Sequence, residues 1–153
     1  MTTKTPDMNT RTPNLERRMT PEHFKTFGDG YLPGLLGVEI VSVGEAGVES
    51  RLAVRREVMA PNGFLHAASV VALADTSCGY GCVALLPEGA KGFTTIELKS
   101  NFLGTAREGA IRCRATPLHL GRNTQVWDAV ITNEANDARI ALFRCTQMVL
   151  WPR

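Results

Sequence analysis

Long hydrophobic runs are what this sequence lacks first: its longest uncharged apolar stretches, Val70–Ala74 and Cys82–Leu86, fall far below the roughly 20 residues of a membrane span. No membrane partner is expected. Clustered positive charge is lacking too. The formal net charge is only +2, and residues 1–25, with five cations against three acids, account for all of it. A duplex-binding surface needs Lys and Arg massed on one face, so nucleic acid is not expected either. Cysteine is scarce, at four residues. Cys78, Cys82, Cys113 and Cys145 fall inside predicted helix or strands, with no secretory-type apolar segment ahead of them, which reads as reduced thiols of a cytoplasmic protein. Cys78, Cys82 and His66 do not make a zinc site, because a structural zinc takes about four ligands in recognisable pairs and no second pair exists. No metal or cofactor is expected.

What is present is ordinary globular usage, with 44% hydrophobic and 21% charged residues among 153, enough for one domain burying roughly 70% of the surface its unfolded chain exposes. Residues 1–20, rich in Thr, Pro and Arg, read as a flexible tail, and 21–153 as a single domain. Thr20 as N-cap with Pro21 behind it predicts a short helix ending near Gly28. Around the turn signal GEAG, Val48, Ser50, Leu52 and Val54 alternate with Glu49, Arg51, Ala53 and Arg55, the period of a half-buried hairpin. A long apolar helix is expected from about Ala67 to Leu86. After Gly92 a strand follows, with Thr94, Ile96, Leu98, Ser100 and Phe102 on one face and Thr95, Glu97, Lys99 and Asn101 on the other. Three runs, AIRCRATPLHL, TQVWDAVITN and RIALFRCTQMVLW, follow as an antiparallel meander. Strands flanking one helix that is apolar on nearly every side imply an α+β hotdog fold, a curved antiparallel sheet wrapped around one long central helix.

That helix carries one acid, Asp75, with no basic residue between His66 and Lys91. An unpaired carboxylate in apolar surroundings costs several kcal/mol. Either Asp75 bonds neighbouring backbone or faces water, or it lines a cleft as base or nucleophile. His66 stands just before the helix, where Ala67 and Ala68 hold the first N–H groups, without intrahelical partners and at the positive end of the helix dipole. Such groups suit a developing oxyanion. Gly79 and Gly81 each cost the helix roughly 1 kcal/mol relative to Ala, so close packing or a bound ligand should compensate.

The stretch GFLHAASVVALAD resembles the His-Gly-Gly signature, followed nine residues later by an acid, of hotdog acyl-CoA thioesterases. PLHLGRNTQVWDAVI is similar to a strand–loop–strand of the same phenylacetate-pathway and 4-hydroxybenzoyl-CoA thioesterase branch. The resemblance spans about Leu36 to Leu150. It implies hydrolysis of an acyl-CoA substrate, the thioester carbonyl held at the Ala67 N–H and Asp75 of the neighbouring subunit acting as general base or nucleophile, within a homo-oligomer, dimer or tetramer. His66 and Asn62 join the catalytic set. Ala68, Asn101, Gly121, Arg122, Asn123 and Thr124 are implied in substrate and coenzyme A contact. The chain departs from the signature at Ala67 and Ala68, where glycines are usual, and at Ala60, where relatives carry a side-chain amide. Two other readings remain open: a hotdog hydratase or dehydratase acting on acyl thioesters, and a non-catalytic acyl-CoA binding protein.

Overall fold

The computed structural model describes residues 20–153, so the tail expected over 1–20 lies, Thr20 apart, outside the described residues. Two short helices open the described chain, α1 (Pro21–Gly28) and α2 (Leu32–Leu36). There follow β1 (Glu39–Gly44), β2 (Gly47–Ala53), a 3-10 turn at Arg56–Val58 and α3 (Ala67–Ala84). Strands β3 (Gly92–Phe102), β4 (Ala110–Leu120), β5 (Thr124–Asn133) and β6 (Arg139–Leu150) complete it. The six strands form one sheet in the order β1-β2-β4-β5-β6-β3, every neighbouring pair antiparallel. This is the expected hotdog fold, with β4-β5-β6 as its meander and β1 and β3 as its edges.

Alternation along the strands gives the sheet its two faces. Val48, Ser50 and Leu52 of β2, Cys113 and Ala115 of β4, and Trp127, Ala129 and Ile131 of β5 are buried on the inner face. The outer face carries ion pairs between neighbouring strands, Arg114 with Glu49 and Arg144 with Asp128, both at 2.6 Å. Helix α3 lies across the inner face and touches all six strands. Its 18 residues are long and apolar enough on average to match a membrane span, a match that counting uninterrupted runs misses, yet 61% of that window is buried within the fold.

Two glycines let α3 settle so close. A Cβ at Gly79 would come within 2.9 Å of the Phe93 ring, and one at Gly81 would overlap the ring of Trp127. Close packing against the sheet therefore accounts for both. The helix ends at Ala84, short of Leu86, because Leu86 precedes Pro87 and is steered out of the helical region. The last carbonyl, that of Leu85, accepts a bond from Gln125 Nε2 at 3.0 Å. At the other end of the chain, Thr20 caps α1 by accepting from the His23 N–H at 3.2 Å. Phe24 of that helix is buried and stacks on Tyr80 of α3 with centroids 4.7 Å apart.

One expected face assignment is corrected. The register of β3 against β6 shifts between Thr95 and Glu97, a bulge at Ile96. Thr95 pairs with the buried Gln147, while Leu98, Ser100 and Phe102 pair with the inward Cys145, Phe143 and Ala141. Thr95 thus points to the helix side, and Glu97, Lys99 and Asn101 do not share its face.

Gly81→Ala is expected to lower stability by roughly 1–3 kcal/mol despite its better helix propensity, since the methyl displaces Trp127. Gly92→Ala, with nothing within 4 Å of the added carbon, should stay within about 0.5 kcal/mol of the parent. Denaturant melts of both variants check the contrast.

Candidate active site

The segment leading into α3 is tightly folded. Ala60 N–H donates to Phe64 O at 2.7 Å, Gly63 turns the chain with φ of +84°, and His66 N–H donates to Val58 O at 3.1 Å. Asn62 Oδ1 accepts from the Phe64 N–H at 3.2 Å, so its oxygen shapes this turn. Ser69 Oγ donates to the same Val58 carbonyl at 2.8 Å, anchoring the first turn of the helix.

His66 is the N-cap of α3, and its Nδ1 accepts from the Ala68 N–H at 2.9 Å. The ring therefore carries its proton on Nε2. The consequence corrects the expectation of two free N–H groups: that of Ala68 is occupied by the imidazole. The N–H groups of Ser69 and Val70 both run back to His66 O. Ala67 is an exposed residue whose N–H has no partner among the described residues, at the positive end of an 18-residue helix.

Asp75 is half-buried in the middle of α3. Its Oδ1 accepts from the Thr95 hydroxyl at 3.3 Å, and the same hydroxyl lies 2.8 Å from Gln147 Oε1. Burial pushes the Asp75 carboxyl above its ordinary range, and the Thr95 bond pulls the other way. Sequence reasoning missed Thr95 because the bulge that turns it inward has no signature in the alternation.

Gly121 to Thr124 form a tight turn, with Gly121 N–H donating to Thr124 O and Val149 N–H to Asn123 O, both at 2.9 Å. Arg122 lies over the Trp151 ring, 4.4 Å from its centroid, and Trp151 Nε1 donates to Arg122 O at 3.1 Å. Unlike Arg51, Arg112, Arg114 and Arg144, Arg122 pairs with no acid among the described residues. It rims a notch of about 420 Å³ beside Leu85, Pro87 and Glu88.

These parts do not meet within one chain. Eight helical residues separate Ala67 from Asp75 by about 12 Å, and the Arg122 turn sits beside Leu85, past the opposite end of α3. Asn101 pairs with the exposed Leu142, on the sheet face turned away from Asp75. Among the described residues no group of His, Cys, Asp and Glu could hold a metal ion. The four cysteines are buried free thiols.

A long helix embraced by one antiparallel sheet has counterparts among known proteins. Residues 62–139 match the model of the Thioesterase superfamily. The chain belongs to that superfamily, and it is a thioester hydrolase. It is 33% identical over 119 residues to the 1,4-dihydroxy-2-naphthoyl-CoA hydrolase of Escherichia coli strain K12, covering 78% of this chain and 87% of the relative. A thioesterase crystal structure from Haemophilus influenzae superposes with a TM-score of 0.80 at 33% identity, covering 86% of this chain and 90% of that one. The PaaI protein of the Escherichia coli phenylacetic acid degradation operon shares the fold, with a TM-score of 0.77 at 22% identity over 89% of this chain and 96% of that one.

Removing the cap separates helix stability from chemistry. His66→Ala should cost about 1 kcal/mol, whereas His66→Asn, a strong N-cap, should restore most of it. Thermal melts of the pair test the assignment.

Proposed function

We propose that the protein hydrolyses acyl-CoA thioesters at a site shared between two copies of the chain. The unpartnered N–H of the exposed residue Ala67 is the observation that carries this reading, because it can hold the thioester oxygen as negative charge develops there. Asp75 of the neighbouring copy approaches the carbonyl carbon as general base for water or as nucleophile, and the coenzyme A thiolate leaves. The 12 Å spacing along α3 is why two copies are needed: one chain cannot bring both groups to one carbonyl. Edge strand β3 suits the pairing of copies, since Ile96, Leu98, Phe102 and Leu103 are exposed apolar residues on or next to it. The name of the Escherichia coli hydrolase supports a coenzyme A thioester as substrate. The free Arg122 fork, steadied on Trp151, is positioned for a coenzyme A phosphate.

Asp75→Asn should lower kcat by at least ~10²-fold, read as thiol released from a panel of acyl-CoAs. The same change should not destabilise the fold at neutral pH. A buried carboxyl whose pKa is raised binds protons more readily folded than unfolded, so its stability contribution is lost as pH rises through the folded value. The asparagine variant escapes that loss and should melt at an equal or higher temperature. A stable, fully active Asp75→Asn would remove the catalytic assignment.

Arg122→Ala should raise KM while kcat stays near the parent value, the mark of binding lost equally from ground and transition states. Steady-state kinetics with an unchanged KM would contradict the phosphate contact. Light scattering at micromolar concentration should find a dimer or tetramer, and a monomer with full activity would refute the shared site.

A further inference from the structure

We propose that Thr95, backed by the buried amide of Gln147, is a positioning residue that orients the Asp75 carboxylate and holds it ionised for catalysis. The inference rests on the reading of Asp75 as the reacting carboxylate, and it adds a group from the strand that faces it, β3. Three observations carry it. The bulge at Ile96 is what turns Thr95 to the helix side, and bulges commonly re-aim a side chain beside an active site. Thr95 Oγ1 lies between two oxygens, Asp75 Oδ1 at 3.3 Å and Gln147 Oε1 at 2.8 Å. Gln147 is fully buried, a costly place for an amide unless its bonds matter.

A hydroxyl has one proton to donate. With the Gln147 oxygen facing Thr95, that proton is divided between two acceptors, and the Gln147 NH2 is left with Cys145 Sγ at 3.3 Å, a weak acceptor. With the amide turned over, its NH2 donates to Thr95 Oγ1, its oxygen takes the Cys145 S–H, and the Thr95 proton goes undivided to Asp75. The Thr95 proton then has a single acceptor, and the chain ends on a charge, where hydrogen bonds are strongest. An ionised Asp75 therefore selects the second arrangement. A protonated Asp75 no longer requires it.

Among the described residues no charge substitutes for Thr95. On α3 the titratable neighbour is the Cys78 thiol, held far up by its bond with Cys145 and by burial. From β4 the Cys113 thiol faces the helix, pushed up to about 12 by burial. On β6, Arg144 is bonded to Asp128 of β5 on the outer face. On β3, Glu97 and Lys99 lie opposite Thr146 and Arg144, also outside. The charges of β2 and β4 are spent in outer-face pairs, Arg114 with Glu49, Arg51 with Glu134 and Arg112 with Asp137. Glu39 of β1 pairs with Arg51, and α2 carries no ionisable side chain. Burial alone would keep Asp75 protonated to higher pH, and the Thr95 bond is what opposes it.

The test compares the parent protein with Thr95→Val, which keeps the shape and removes the hydroxyl, and Thr95→Ser, which restores it. Asp75 is titrated directly by carboxyl 13C NMR, alongside the pH profile of kcat/KM and a thermal melt. In Thr95→Val the Asp75 midpoint and the acid limb of the profile should both move to higher pH. The kcat should fall roughly tenfold, the worth of one hydrogen bond to a charged group, with KM little changed. Thr95→Ser should return all three toward the parent. A folded Thr95→Val with an unmoved midpoint overturns the proposal, as does a Thr95→Ser that behaves like Thr95→Val. Asp75→Asn in the same series separates the two claims. If it is inactive while Thr95→Val titrates like the parent, only the positioning role falls. If it is fully active, the catalytic reading of Asp75 falls, and with it the role proposed for Thr95.

Discussion

The close seat of α3 on the sheet is the contact from which the rest of the structure follows. Gly79 against Phe93 of β3 and Gly81 against Trp127 of β5, about 200° apart around the helix, remove side-chain thickness on two faces that the curved sheet embraces. That brings the helix axis close enough to the strands for Thr95 to reach Asp75. Larger residues there would lift the helix and leave the carboxylate either stranded in apolar surroundings or exposed to water. Each glycine costs helix propensity, but the aromatic burial it permits is worth more, since filling space next to a Trp or Phe ring is among the larger favourable terms in a core.

Much of the architecture was legible in the sequence because period-two alternation is a direct image of a sheet with one wet face. Val48, Ser50 and Leu52 against Glu49 and Arg51 read correctly for that reason. The cap at Thr20 read correctly because it is local chemistry. The faces of β3 did not, because a bulge adds one residue to one strand and reverses the alternation beyond it, and nothing in GFTTIELKSNF marks where. The same blindness hid the partner of Asp75. A contact between Asp75 and Thr95 across 20 positions is set by register, which the sequence specifies only through the whole sheet at once.

The candidate site divides along the same line. Asp75 stood out as the lone acid of an apolar helix, and Ala67 as its first N–H, both local facts. That His66 caps Ala68, and so leaves Ala67 as the open donor, needed the rotamer of one ring. Asn62 and Asn101 were carried over from resemblance, and the structure puts the first in a turn and the second on the opposite sheet face from Asp75 within a protomer.

The bond from Gln125 to the Leu85 carbonyl ties the C-terminal end of α3 to strand β5. Gln125 lies next to Thr124, which closes the Arg122 turn, and Leu85 terminates the helix whose far end presents Ala67. The helix is anchored at its other end by Ser69 on Val58. The two ends of α3, some 26 Å apart, are thus each tied to a loop, one to the Arg122 turn and the other to the segment that leads into the helix.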